Sequence, residues 1–437
     1  MQAESAATVA SRQFSTDFSA GPLALCNAAI NCAQQQDDAV MINLRHALSL
    51  GRSRDGWRKF LRSLGRPGHV GSAGNGSTRL REIFAFGSNP GNLRMFAYRP
   101  PTLADNPPLV VVLHGCTQTA AGYDLGAGWS TLADRYGFAL VLPEQQRSNN
   151  PSGCFNWFHP IHSRRNQGEP LSIRQMIEKC VVDFGIDRRQ VFVTGLSAGG
   201  AMTSVMLACY PEVFAGGAIV AGLPYGAATN VQQAFESMFQ SPSRSAREWG
   251  DLVRKASSHR GPWPRVSVWH GNADKTVIPS NALEILKQWT EVHGLPLSPS
   301  VTAQVDGFPR QVWINEVGDE IIEAYTIPNM AHGTPLAIGE AEGACGAPGP
   351  FLLPVGISSS YHIAKFFGIA VPRASVARSM AKLSPAPDHF AATEPVLEGE
   401  VLDKDDKTGW EEDPRPPLPD IGGVINEALR AAGLIKG

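Results

Sequence analysis

A serine set between two glycines, Gly195-Leu196-Ser197-Ala198-Gly199, is the residue of this chain best placed to act as a nucleophile. Gly-x-Ser-x-Gly recurs by chance, so the case rests on what flanks it. Gln190-Val191-Phe192-Val193-Thr194 reads as a strand, and Ala198 to Cys209 reads as a helix of small residues ending at Tyr210-Pro211. A serine between two such elements sits on a sharp, strained turn that exposes its hydroxyl. The Ala198 amide points into the same space, where the positive end of the helix favours developing negative charge. A serine at a helix start can also be an ordinary cap. Side chains at 195 and 199 would collide with the neighbouring strand and helix, and this need for glycine favours the nucleophile.

A serine hydroxyl needs an imidazole to take its proton, and the imidazole needs an acceptor to fix its tautomer. On sheets of this kind the chain order is Ser, then Asp or Glu, then His. Val266-Ser267-Val268-Trp269-His270 reads as a strand and leads into Gly271-Asn272-Ala273-Asp274, which puts Asp274 in a loop just past a strand end. Turn aspartates often only cap backbone, but this position favours the orienting acid. Glu320 to Ile327 reads as the next core strand, and Pro328-Asn329-Met330-Ala331-His332-Gly333 follows it, so His332 is the expected base. His270 at a strand end, His293 at a helix end and His362 within an apolar helix suit that role less well.

The run Leu109 to Leu113 enters His114-Gly115-Cys116-Thr117-Gln118. A His-Gly turn after such a strand commonly gives a second amide to a tetrahedral oxyanion, here that of Cys116, alongside Ala198. The Cys116 thiol itself is buried or disulfide-bonded, with Cys154 an open possibility for its partner. Gly153-Cys154-Phe155-Asn156-Trp157-Phe158 carries three aromatics that serve either as an apolar wall for an acyl or polymer chain or as core. Trp157, Asn156, Gln118 and Leu196 are the expected substrate contacts. The chemistry requires no cofactor and no metal.

Positioning these groups requires a sheet. From about residue 79 to 372, short β-branched runs alternate with helical stretches: PLVVVLHG, FALVLPE, QVFVTGLS, AGGAIVAG, RVSVWHG and EIIEAYTIP, with helices over 127–136, 171–184 and 198–209. Continuously apolar runs mark strands covered on both faces. The pattern predicts an α/β fold with an open, mostly parallel central sheet and helices on both faces, its active site beyond the carboxyl ends of the strands. REIFAFG and LRMFAYRP around Ser88 to Asn92 read as a hairpin.

The flanks differ. Residues 1–78 are rich in Ala, Ser and Arg and end in a Gly/Ser linker; within them, 40–62 has the spacing of a basic amphipathic helix, which suits packing on the main domain or a partner subunit, or contact with a membrane surface. Residues 373–437 are rich in proline and charge, with a short helix at the end. The chain has 437 residues, 43% hydrophobic and 18% charged, with a net charge of −2, which gives no bulk attraction to nucleic acid. No apolar run is long enough for a transmembrane segment. The seven cysteines lack zinc spacing, and Cys180 and Cys209 sit in apolar helical runs as buried hydrophobes.

Taken together, LVVVLHGCTQTAAGYDLGAGWSTLADRYGFALVLPEQ, NWF, DFGIDRRQVFVTGLSAGGAM, WHGNADKTV and NMAHG resemble the polyhydroxybutyrate depolymerase family of esterases across residues 79–370. The resemblance implies an α/β-hydrolase fold, Ser197, Asp274 and His332 as a triad, the amides of Cys116 and Ala198 as oxyanion donors, and Trp157 near an ester substrate. That family is similar to feruloyl and acetyl xylan esterases, so polyester or oligomer hydrolysis and carbohydrate-ester hydrolysis are both carried forward, with a non-catalytic binding protein on the same fold as the third reading. An extracellular protein is implied by the resemblance. The start MQAESAATVASRQFS lacks a basic segment followed by an apolar core, and no separate polymer-binding domain is recognisable, which keeps a cytoplasmic location open. Oligomeric state is left open.

Overall fold

The computed structural model describes residues 78–340 and 342–370. The linker, the basic helix over 40–62 and the tail from 373 lie outside the described residues. The chain runs β1 (Arg81–Ile83), β2 (Arg94–Tyr98), β3 (Leu109–Leu113), α1 (Ala120–Ala127), α2 (Trp129–Tyr136), β4 (Ala139–Glu144), a 3-10 turn (Pro160–Ser163), α3 (Gly168–Phe184), β5 (Val191–Leu196), α4 (Ala198–Cys209) and β6 (Gly216–Val220). It continues through α5 (Val231–Phe239), α6 (Ala246–Ala256), β7 (Arg265–Gly271), α7 (Ser280–His293), β8 (Val301–Val305), β9 (Phe308–Ile314), β10 (Glu320–Ile327), β11 (Thr334–Leu336), β12 (Leu352–Pro354) and α8 (Ser359–Phe366).

Ten strands form one sheet in the order β1-β2-β4-β3-β5-β6-β7-β10-β9-β8. From β4 to β10 every pairing is parallel, and antiparallel strands close both edges. Consecutive residues of each core strand feed opposite layers. Leu109, Val111 and Leu113 pack with Ile173 and Met176 of α3 and Met202 of α4, whereas Val110 and Val112 pack with Trp129 and Leu132 of α2 and Ile363 of α8. Both faces being apolar explains why these strands read as unbroken hydrophobic runs rather than alternating ones.

Two local expectations hold with shifted bounds, and one hairpin was missed. β1 and β2 pair antiparallel as the expected hairpin, Arg81 opposite Ala97, with a connection, 84–93, longer than Ser88 to Asn92. The helix expected over 127–136 starts two residues later, as α2 from Trp129, because Gly128, with a φ of 77°, ends the separate helix α1 and starts α2. The β8–β9 hairpin was not anticipated. Its signal was present in Asp306-Gly307, with φ of 50° and 83°, the two left-handed residues a type I′ turn demands. The exposed side chains of β8 and Pro309 within β9 hide the strand pattern on either side.

All twelve residues of α4 are buried, so the helix after Ser197 runs through the interior. A Cβ on Gly195 would lie 2.4 Å from the Gly199 carbonyl oxygen, and one on Gly199 would lie 2.3 Å from the Leu113 carbonyl oxygen and 2.6 Å from that of His114. These are backbone collisions that no rotamer relieves. Gly199→Ala is therefore expected to cost about 3 kcal/mol or more, a drop in Tm of roughly 6–12 °C by thermal unfolding. An unchanged Tm would show that α4 and β3 have room to part.

Candidate active site

Ser197 stands between β5 and α4 with φ 57° and ψ −116°, a backbone geometry that L-residues other than glycine rarely adopt. Its side chain makes no capping hydrogen bond to the helix, so the ordinary cap reading fails. The turn is pinned from behind, where the Ser197 amide donates to the Val220 carbonyl (2.9 Å) and the Ala221 amide donates to that of Trp269 (2.8 Å). The carboxyl ends of β5, β6 and β7 are thereby laced together.

Asp274 lies in the loop after β7. Its amide donates to the Gly271 carbonyl, and the Ala273 amide donates to the Met330 carbonyl, which ties the acid loop to the loop after β10. Its Oδ1 accepts from the amides of Thr276 (2.8 Å) and Val277 (2.9 Å). Its Oδ2 lies 2.7 Å from His332 Nδ1. Burial works to raise the Asp274 pKa, but hydrogen bonds from His270 and His332 outweigh it and hold the carboxyl well below its usual range. An ionised Asp274 accepts at Nδ1, which leaves His332 Nε2 as the basic nitrogen. Asp274 and His332 are thus brought together, and Ser197 lies at the same end of the sheet, at the centre of the strand order.

Two neighbours were not foreseen. His270, set aside from the sequence as a base, shares the acid: its Nε2 is 2.8 Å from the Val277 carbonyl and 3.4 Å from Asp274 Oδ2. A carbonyl only accepts, so Nε2 carries the proton. Phe351 stands edge-on to the His332 ring at 5.9 Å. Its distance along the chain, in the otherwise plain GPFLLP, offered no signal.

Cys116 follows β3 and is disulfide-bonded to Cys154, with Cα atoms 4.2 Å apart, which resolves the pairing left open above. The Gly115 amide donates to Gln118 Oε1 (2.8 Å) and the Thr117 amide to the Ser152 carbonyl (2.8 Å). Between them, the Cys116 amide has no acceptor among the described residues. Ala198 is the first residue of α4, so its amide has no partner within the helix. His114 is buried and pushed down to about 4, hence neutral; its Nδ1 donates to the Gly115 carbonyl and its Nε2 accepts from the Gln145 amide.

The structure gives the expected substrate contacts another place than the sequence reading did. Leu196 is 1% exposed and packs in the core. Asn156 is also 1% exposed, with Nδ2 on Glu169 and Oδ1 on Asn150. Phe155, Trp157 and Phe158 belong to the core, Trp157 edge-on to Phe158 at 5.6 Å. Gln118 is half-buried and committed to Gly115. Cys180 and Cys209 are buried free thiols, as read from the sequence, and Cys345 is a third.

An open, mostly parallel sheet with a strained serine turn on its central strand defines an α/β-hydrolase. The chain matches the family described as Esterase PHB depolymerase over residues 93–304. It is 47% identical over 291 residues to poly(3-hydroxyalkanoate) depolymerase C of Paucimonas lemoignei, covering 66% of this chain and 70% of that one. It is 34% identical to the acetylxylan esterase of Coprinopsis cinerea, over 59% of this chain and 70% of the other. A feruloyl esterase B of Neurospora crassa is 35% identical over 54% and 80%. Among solved structures, the acetyl xylan esterase from Aspergillus awamori superposes with a TM-score of 0.56 at 28% identity, covering 66% of this chain and 99% of that one. The chain belongs to the PHB depolymerase family of esterases, and it is a carboxylic ester hydrolase. That sets aside the non-catalytic reading. Among the described residues, no helix is long and apolar enough to cross a membrane.

Proposed function

We propose that Ser197, His332 and Asp274 form the catalytic triad of a secreted esterase acting on esters of 3-hydroxyalkanoates, as polyester or as oligomers. The observation that carries the triad is the 2.7 Å contact between His332 Nδ1 and Asp274 Oδ2 at the sheet end where Ser197 is held in its strained turn. Ser197 Oγ attacks the ester carbonyl while His332 Nε2 takes its proton, and Asp274 stabilises the imidazolium. The amides of Cys116 and Ala198 receive the oxyanion. His332 then protonates the leaving alcohol and activates water against the acyl-enzyme. The N-terminal extension 1–78, the catalytic region 79–372 and the tail 373–437 are proposed as separate parts of the chain.

The substrate class is supported by the 47% identity to a protein named for poly(3-hydroxyalkanoate) depolymerisation. Extracellular location is supported by the Cys116–Cys154 disulfide, a bond that persists in oxidising compartments. Carbohydrate-ester hydrolysis is the second reading, favoured by the acetylxylan and feruloyl esterases among the relatives. Two measurements test these assignments. A fluorophosphonate probe is expected to label the protein at Ser197 alone, with labelling lost in Ser197→Ala. Hydroxybutyrate oligomers are expected to exceed methyl ferulate and acetylated xylan in kcat/KM. Labelling elsewhere would end the triad assignment, and a preference for ferulate or acetyl groups would transfer the substrate to the second reading.

A further inference from the structure

Glu169, the second residue of α3, is fully buried, and the chemistry above does not use it. Its Oε1 accepts from Gln145 Nε2 (2.7 Å) and Asn156 Nδ2 (2.7 Å), and its Oε2 from the Asn156 amide (2.9 Å). The nearest basic group is His162, whose Nδ1 is 3.6 Å from Oε1. Burial pushes that imidazole down to about 4, so it is neutral. Burial likewise pushes Glu169 up to about 7, although its three donors act the other way.

These partners lead by separate routes to three consecutive residues of the loop after β3. Through Gln145, the path passes from the Gln145 amide to His114 Nε2 (3.1 Å) and from His114 Nδ1 to the Gly115 carbonyl (2.8 Å). Through the Asn156 backbone, it runs two residues back to Cys154 and across the disulfide to Cys116. Through the Asn156 side chain, it passes to Asn150 Nδ2 (3.0 Å), then from Asn150 Oδ1 to the Ser152 amide (3.0 Å) and from the Ser152 carbonyl to the Thr117 amide (2.8 Å). Thr117 has a φ of 67°, a conformation that persists only where the surroundings impose it.

We propose that Glu169 is the positioning residue of the oxyanion loop, fixing the direction of the Cys116 amide through three routes that end at Gly115, Cys116 and Thr117. This rests on the reading of the Cys116 amide as an oxyanion donor. The physical reason is that such a donor acts only within tenths of an ångström of the developing charge, so what holds the loop decides its worth. A carboxylate suits the post because three N–H groups converge on it. Glu169→Gln keeps the volume but puts an amide N–H either against the Asn156 backbone amide or against both Gln145 Nε2 and Asn156 Nδ2, which breaks at least one route at its origin.

The test compares Glu169→Gln with the native enzyme on p-nitrophenyl butyrate, with rates expressed per fluorophosphonate-titrated site. A fall in kcat of about ten- to a hundredfold is expected, less than the loss of a whole oxyanion donor. KM should change by no more than about twofold, and the Ki of a trifluoromethyl ketone, whose hemiketal presents the same oxyanion, should rise by the same factor as kcat falls. A merely structural role lowers the number of titratable sites and moves neither ratio. Should Glu169→Gln fail to fold, Gln145→Leu, which cuts the His114 route at its link to Glu169 and also removes the Oε1 acceptor of the Gln146 amide and Asn149 Nδ2, is expected to give a smaller loss of the same kind. Native kcat per site in a folded Glu169→Gln, in Gln145→Leu where that variant stands in, or a kcat loss without matching weakening of the ketone would overturn the positioning role. If Ser197→Ala is inactive in the same assay, only this inference falls; if Ser197→Ala still turns over, the triad reading beneath it has failed.

Discussion

Ser197→Ala is expected to remove ester hydrolysis almost completely, by about 10⁶ in kcat, the scale found when a triad nucleophile is deleted. The rest of the site stays intact in this variant, since the serine side chain makes no hydrogen bond to the helix it precedes. Thermal stability should therefore stay within about 0.5 kcal/mol of native. Ser197→Gly separates function from strain. Its activity loss should match that of alanine, but at φ 57° and ψ −116° glycine relieves a conformation that costs on the order of 1–3 kcal/mol. A Tm above native in the glycine variant, beside an unchanged Tm in the alanine variant, is the expected pair of results. Residual hydrolysis within a hundredfold of native in either would show that another group attacks the ester.

The three residues of the proposed triad could be singled out in the sequence because each follows a strand that announces itself locally. Gln190 to Thr194, Val266 to His270 and Glu320 to Ile327 are apolar runs, and chain order then selects Ser197, Asp274 and His332. The fold class followed from the same alternation, as did α4, whose ends match Ala198 and Cys209. What escaped was of two kinds. β8 is exposed on nearly every residue, so no hydrophobic pattern marks it, and only Asp306-Gly307 betrays the hairpin. The support of the loop after β3, the proposed oxyanion loop, depends on contacts between segments far apart in the chain. Glu169 meets Gln145 and Asn156 across 24 and 13 residues, and nothing local distinguishes Asn156 from a substrate contact. Burial, absent from the sequence, makes that distinction. The same holds for His270, which periodicity places at a strand end but which only the folded loop turns toward Asp274.

Asp274→Asn is expected to lower kcat by about 10⁴ with KM little changed, through the tautomer of His332. Asparagine retains an oxygen for the amides of Thr276 and Val277, so its NH2 occupies the place of Oδ2. That NH2 faces two imidazoles with opposite needs. His332 can adapt by accepting at Nδ1 and moving its proton to Nε2, and in doing so it loses the lone pair that the proposed mechanism uses to take the proton of Ser197. His270 cannot adapt, because the Val277 carbonyl keeps a proton on its Nε2, and this donor then confronts another donor. The variant should therefore also be less stable than native at neutral pH. The sign of its pH dependence follows from the lowered Asp274 pKa: the native carboxylate contributes stability above the pKa of the unfolded chain and loses it as pH falls through the folded value. The stability gap between native and variant should accordingly narrow on acidification, as read by denaturant unfolding at a series of pH values. A kcat loss of only about tenfold would show that His332 keeps its tautomer without Asp274, and a gap that widens in acid would show that the buried carboxylate opposes folding.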